Sequence, residues 1–162
     1  LSTFKFTDQN QVVPVPTANT YYWKPRVGPF YTFKYIPDWD EIKPVTGGVF
    51  LVGLGDGSVW LGVNETIDIN AGDTPEKLAS QAVGNKTLIA RKQTIVDGHQ
   101  AVYQEIKNEN GGIRIETYID AVKAPDNYLG TQLIFMEIKQ SRDVEVFKDV
   151  FKDILSTFKF TN

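Results

Sequence analysis

A seven-residue segment occurs twice in the chain, and it constrains the organisation of the molecule more than any other feature. Residues 1–7 read LSTFKFT, and the same seven letters return at residues 155–161. The two copies are separated by about the length of one domain. This spacing predicts that the chain opens with the last strand of a preceding, related domain. One complete domain then follows and ends in the same strand.

A polar segment that contains proline separates the first copy from the rest of the chain. Residues 8–20 read DQNQVVPVPTANT, with prolines at alternate positions among small polar residues. Such a composition favours an extended spacer rather than a packed element. We therefore predict a terminal strand at 1–7, a linker at 8–20 and a complete domain at 21–162. That last part is long enough to form one well-buried core.

The predicted domain consists mainly of short segments in which polar and apolar residues alternate. The predicted strands are 30–36, 49–54, 58–63, 87–96, 99–107, 113–121 and 128–139. Gly55-Asp56-Gly57 separates one pair of strands and Asp97-Gly98 another, and both turns are typical of β-hairpins. In segment 113–121 isoleucine and threonine alternate with charged and aromatic residues. We expect one face of this strand to be buried and the other to be solvated.

Two segments have helical features. Thr74 and Pro75 predict a helix start and Gly84 a helix end, so the first helix spans about 75–83. Segment 143–155 carries an apolar stripe at helical spacing, made of Val144, Phe147, Val150, Phe151, Ile154 and Leu155. The period changes to two at 156–160, which predicts a short strand docked at the end of this helix. Helices that cover an antiparallel meander give an α+β sandwich.

Composition excludes several functional classes. The chain has no cysteine, which excludes disulfides, thiolate nucleophiles and cysteine-ligated metals. The net charge is −3 and no basic block is present, which argues against nucleic-acid binding through phosphate neutralisation. No run of about 20 apolar residues occurs, so we predict no membrane span.

Few residues offer chemistry of their own. Asp38, Asp40 and Glu41 flank Trp39 and are weak candidates for a hard cation, but their spacing matches no calcium loop. We therefore predict no metal site and no cofactor. His99 is the only histidine, which excludes a multi-histidine metal site within one chain. We expect it to be a solvent-exposed turn residue with no catalytic role.

Three tryptophans could in principle stack against carbohydrate. Trp23, Trp39 and Trp60 all lie in or beside predicted strands. Aromatic residues in strands pack more often into a core than onto a ligand. We therefore expect the tryptophans to be core residues.

Several of these segments, in this order, resemble domains of the PsbP-like superfamily, most closely its bacterial lipoprotein-type members. The resemblance rests on Trp23-Lys24, the aromatic strand 30–36 with Pro37 and Trp39 after it, and segments 58–63, 111–116 and 151–160. Ile36 departs from the pattern, because many relatives have no residue between the strand and the proline. The resemblance implies an α-β-α sandwich around a central antiparallel sheet. It also implies a mainly non-catalytic role.

Three functional hypotheses follow. The first is a non-catalytic structural or assembly module of an exported bacterial protein, present in tandem copies in the extracellular space or cell envelope. The second is a subunit of a surface filament whose N-terminal strand pairs with the sheet of another molecule. The third is a ligand-binding or hydrolytic domain, for which the sequence predicts no pocket. Protein partners or self-association are expected, and the self-association residues would be Leu1, Phe4, Phe6, Leu155, Phe158 and Phe160.

Overall fold

The computed structural model describes residues 22–43, 48–64, 73–121 and 131–161. The predicted strand copy at 1–7 and the predicted linker at 8–20 lie outside these ranges. Within them the elements are, in order, β1 (Lys24–Val27), β2 (Tyr31–Tyr35), β3 (Asp40–Ile42), β4 (Val49–Gly53), β5 (Val59–Asn64), α1 (Pro75–Val83), β6 (Thr87–Val96), β7 (His99–Lys107), β8 (Ile113–Asp120), β9 (Thr131–Ile138), α2 (Val144–Thr157) and β10 (Lys159–Phe160).

The strands form two antiparallel sheets rather than one meander. A small sheet has the order β1-β2-β10, and a large sheet has the order β3-β4-β5-β9-β8-β7-β6. The predicted hairpins β4–β5 and β6–β7 are confirmed. The single meander is wrong, because β9 lies between β5 and β8 and joins two runs of sequential strands. The short strands β1 and β3 were not predicted.

The main core lies between the large sheet, α2 and the small sheet. Tyr31, Phe33 and Tyr35 are almost fully buried, as their alternation along the second strand predicts. The apolar stripe of α2 packs into the same cluster, and Phe147, Phe151 and Ile154 are its most buried members. Of the three tryptophans, Trp23 and Trp39 are buried in this core, as expected. Trp60 is only partly buried and lies outside this cluster, so the expectation is wrong for that residue.

The helix α1 covers the opposite face of the large sheet. The Thr74 hydroxyl caps it by accepting a hydrogen bond from the Lys77 N–H at 3.2 Å, and Gly84 ends it with a φ of 51°. Adjacent β8 residues show the two faces: Tyr118 packs in the α1 cluster, and Ile119 packs in the α2 core. The predicted α-β-α arrangement is therefore confirmed. Neither helix in the described ranges combines the length and apolarity needed to cross a bilayer.

The prediction of a solvated face for β8 is wrong. Glu116 and Tyr118, on the side expected to meet water, are only 2% and 6% exposed. The reason is that α1 packs over this face. A strand with a charged residue can be buried on both faces when neighbouring side chains satisfy that charge.

Candidate functional site

The C-terminal copy of the repeated segment is packed into the domain. We call the positions that hold β10, between β2 and the β6–β7 turn, the strand slot. Phe158, just before β10, is fully buried, and its ring lies 5.3 Å from the Tyr31 ring and 6.1 Å from the Phe33 ring. Stacked aromatic rings at these distances contribute beyond simple area burial. Phe158 therefore anchors the segment in the core.

Backbone and hydroxyl groups fix the register of the segment against β2. The Thr157 Oγ1 accepts a hydrogen bond from the Lys34 N–H at 2.9 Å. On the other side of Phe158, the Thr161 N–H donates to the Phe30 carbonyl at 2.9 Å. The pairing of Lys159 with Thr32 lies between these two contacts. A shift of one residue would move Phe158 out of the core, so the register is strongly specified.

The turn between β6 and β7 closes the strand slot. Asp97 has a φ of 50° and Gly98 a φ of 80°, the left-handed conformations that a two-residue hairpin turn requires. The Asp97 carboxylate accepts hydrogen bonds from the Lys159 ammonium and from the Phe160 N–H, both at 2.8 Å. The Lys159 hydrogen bond lowers the pKa of Asp97, and the Phe160 N–H adds to this against the opposing effect of burial. The carboxylate is therefore held ionised against β10.

His99 belongs to the same slot, contrary to the expectation of a solvent-exposed turn residue. Its Nδ1 lies 2.9 Å from the Asp120 carbonyl oxygen. Because that carbonyl can only accept, Nδ1 carries the proton. The imidazole ring lies 4.5 Å from the Phe160 ring. The histidine is half-buried and positions β10, a role that its place beside a turn did not reveal.

The structure brings together three of the six predicted self-association residues. Phe158 lies in the core, Leu155 packs against that core from the last turn of α2, and the Phe160 ring lies edge-on to the Phe158 ring, with 5.2 Å between the ring centres. The other three, Leu1, Phe4 and Phe6, lie outside the described residues. Their side-chain types are the same as those of Leu155, Phe158 and Phe160.

The weak metal candidates lie at the opposite edge of the large sheet. Asp38, Asp40 and Glu41 are exposed around the buried Trp39. The Glu41 carboxylate accepts a hydrogen bond from the Tyr35 hydroxyl at 3.1 Å, and the pKa of Tyr35 is raised by burial and by this carboxylate. Within the described ranges, no group of three or more histidine or acidic side chains is arranged to hold a metal ion.

A buried charged network on the α1 face of the large sheet was not predicted. The Arg114 guanidinium donates to Glu116 at 2.5 Å and to Glu137 at 2.7 Å, and its carbon lies 4.0 Å from the Phe135 ring centre. Burial opposes the charge of Arg114, but the two carboxylates outweigh it and raise its pKa. Gln104, fully buried, donates to Glu116 at 2.7 Å.

This network is arranged for stability rather than for acid–base chemistry. A general acid or base must reach a substrate proton. Glu116 instead accepts hydrogen bonds from Arg114, Gln104 and Tyr118, and it is 2% exposed. Burial and the Glu116 charge raise the pKa of Tyr118, which keeps the phenol protonated. The strand slot is therefore the better candidate for a functional site.

Comparisons with known proteins identify a structural relative. No protein-family model matches the sequence, and a search of curated proteins gives no significant match. Among solved structures, the chain is similar to the solution structure of cyanobacterial PsbP (CyanoP) from Synechocystis sp. PCC 6803. The TM-score is 0.54 at 15% sequence identity, over 81% of this chain and 86% of that chain. At this level of identity the similarity concerns the fold alone.

Proposed function

Because the chain has a PsbP-like α+β fold, we propose that it is a non-catalytic structural or assembly module of an exported bacterial protein. The module acts through protein contacts, in the extracellular space or the cell envelope. It is one of several tandem copies in its parent protein. A fold by itself does not determine a function, so the proposal rests on the chemistry of the strand slot.

The observation that carries the proposal is that the strand slot is filled by a sequence that the chain carries twice. The contacts use the Thr157 hydroxyl, the Phe158 ring and the Lys159 ammonium, together with backbone groups. Residues 1–7 supply the same groups in the same order. Either copy can therefore make the same contacts in such a slot. A segment that can serve two domains is a natural element of assembly.

In a tandem arrangement, each copy is the C-terminal strand of one domain and fills the slot of that same domain. Residues 1–7 then complete the preceding domain, and residues 8–20 link that domain to this one. The prolines of the linker favour an extended spacer between the two domains. The full open reading frame tests this directly, since a gene with only one such domain would contradict it.

A second candidate function follows from the same duplication. Two identical segments in one chain can compete for one slot, so residues 1–7 of one molecule can enter the slot of another. Repeated head-to-tail exchange builds a filament, because a heterologous contact that does not close continues indefinitely. A hydrolytic role has less support, because Glu116 and Glu137 are paired with Arg114.

The experiment compares the complete chain with a version that lacks residues 1–10, by size-exclusion chromatography with light scattering. A third protein carries Phe4→Ser and Phe6→Ser, and a fourth carries Val12→Ser and Val13→Ser in the linker as a matched control. Exchange between molecules predicts oligomers for the complete chain and the linker control, with monomers for the other two. Monomers for all four proteins would exclude the filament. The tandem arrangement would then be tested by the gene sequence alone.

A further inference from the structure

The strand β6 presents a long open edge of the large sheet. It pairs with β7 on one side, and no strand of the described ranges pairs with its other side. All side chains from Thr87 to Gln93 are exposed. The other edges of the two described sheets are shorter: β3 has three residues, β10 has two, and β1 has four and includes Pro25, which has no N–H to donate. An edge of ten residues offers unpaired backbone groups to a further strand.

Apolar side chains are exposed along this edge. Leu88, Ile89 and Ile95 are 41%, 49% and 70% exposed. Leu88 and Ile89 lie where the register against β7 shifts, and Ile95 lies near the turn at the opposite end. An exposed edge with several large apolar residues is a common location for strand addition by another chain. The apolar residues therefore lie near both ends of the open edge.

A groove runs beside the edge, between β6 and the C-terminal half of α2. Its volume is about 380 Å³. The lining includes Lys92, Thr94, Val96, Tyr103, Lys152 and Leu155. In complexes formed by strand addition, backbone hydrogen bonds give affinity, and pockets for alternate side chains give specificity. The edge and the groove together meet both requirements.

The charges along the edge indicate the chemistry of the occupant. β6 carries Arg91 and Lys92 and no acidic residue. Arg91 donates to Gln104 and Ser80 on the α1 side, whereas Lys92 lies 5.0 Å from the Tyr103 ring on the groove side. A positive charge therefore lies on each face of β6. On the α1 face, the Glu76 carboxylate accepts a hydrogen bond from the Gln93 amide at 3.1 Å, two positions beyond Arg91. A second copy of β6 in full overlap would bring like charges together, which opposes self-pairing.

Acidic residues near the groove already have cationic partners. Asp97 pairs with Lys159 at 2.8 Å, and Asp149 pairs with Lys152 at 2.9 Å. Glu105, which accepts a hydrogen bond from the Tyr103 hydroxyl, pairs with Lys148 at 2.7 Å. Their negative charges are thus partly offset inside the domain. Lys92 is the cation that faces both the groove and the open edge.

We propose that the β6 edge and its groove bind an extended, acidic segment of a partner protein. Successive side chains of an added strand point to opposite faces. A pair of adjacent acidic residues therefore meets Arg91 on one face and Lys92 on the other. An apolar residue of the same strand then enters the groove beside Tyr103. The groove adjoins the strand slot at Asp97 and Leu155. The β6 edge is not part of that slot, so the proposal does not depend on the proposed exchange of residues 1–7.

The test begins with a phage-displayed library of random ten-residue peptides, selected on the complete chain. The consensus peptide is then synthesised, and amide hydrogen exchange of the protein is measured with and without it. We expect a consensus with adjacent acidic residues and at least tenfold slower exchange for β6 amides. A consensus without acidic residues, no enrichment, or protection of a different surface would overturn the proposal.

Variants connect the binding to the charge on the edge. Lys92→Glu should weaken binding of the consensus peptide at least tenfold, while Lys139→Glu, an exposed lysine outside this edge, should leave it unchanged. Equal effects of the two substitutions would overturn the proposal. The β6 amides could also be protected in the absence of peptide, with this protection lost in the Phe4→Ser, Phe6→Ser protein. That result would overturn the proposal as well. That outcome would identify the chain's own N-terminal strand as the occupant.

Discussion

The Asp97 carboxylate and the backbone N–H of Phe160 form a 2.8 Å hydrogen bond across 63 positions of sequence. This contact joins the turn at the edge of the large sheet to the last strand of the small sheet. The same carboxylate also binds the Lys159 ammonium. The strand slot is therefore closed by an ionised group, and its stability depends on that ionisation.

We predict that Asp97→Asn destabilises the domain by about 1 kcal/mol at pH 6, because the acceptor of both hydrogen bonds loses its negative charge and the ion pair with Lys159 is lost. Asparagine tolerates the positive φ of this position, so the turn itself should persist. The measurement is urea unfolding, with hydrogen exchange of the Phe160 amide as a local readout. An unchanged exchange rate at Phe160 would contradict the closing role of Asp97.

The same residue should make stability depend on acid pH. The pKa of Asp97 is lowered below its ordinary value of 3.8, so its stabilising effect is present above that pH. The effect is lost as the pH falls through the lower pKa of the folded state. The difference in unfolding free energy between the wild type and Asp97→Asn should therefore shrink from pH 6 to pH 2. A constant difference over this range would argue against the prediction.

We predict that Arg114→Met destabilises the domain by about 3 kcal/mol at neutral pH, because it leaves Glu116 buried without its cation. Lys107→Met, on the exposed end of β7, should change stability by less than about 0.5 kcal/mol. Urea unfolding at neutral pH tests both variants, and equal stabilities of the two would contradict the prediction.

Local chemistry made most of the fold predictable from the sequence. The Asp97-Gly98 turn has alternating residues on both sides, and Thr74 and Pro75 mark the start of α1. Each of these features works through neighbouring residues and needs no knowledge of the rest of the chain. The short strand after α2 was likewise predicted from the change of period, and it forms β10.

Features that depend on distant residues were not predicted. The pairing of β5 with β9 brings together residues more than 70 positions apart, such as Val63 and Ile134, and nothing in either strand specifies the other. The polar face of β8 indicated contact with water, whereas α1 and Arg114 together bury and neutralise Glu116. The role of His99 depends on Asp120 and Phe160, both distant in sequence. Tertiary context decided these three features.

We predict that Gly62→Ala destabilises the domain by about 1–3 kcal/mol, because the added methyl group overpacks a closed site. A Cβ at this position would clash with the end of the Phe135 ring. That ring is held from two sides by Trp60 and Arg114, so it has little room to move. Gly55→Ala is the matched control, since its Cβ meets only the mobile end of Asp40 at 3.1 Å. If the unfolding curves of the two variants coincide, the prediction is contradicted.

The same phenylalanine-to-alanine substitution can be made separately in each copy of the repeated segment, within an identical local sequence. Phe158→Ala should destabilise the monomer by about 3–5 kcal/mol, because it removes a fully buried ring from the core. Phe4→Ala should change the stability of the monomer by less than about 0.5 kcal/mol, because we predict that residues 1–7 are not part of this domain's own core. Urea unfolding in dilute solution measures both values. If Phe4→Ala destabilises the dilute monomer as much as Phe158→Ala does, residues 1–7 belong to the core of their own domain and are not free to serve another.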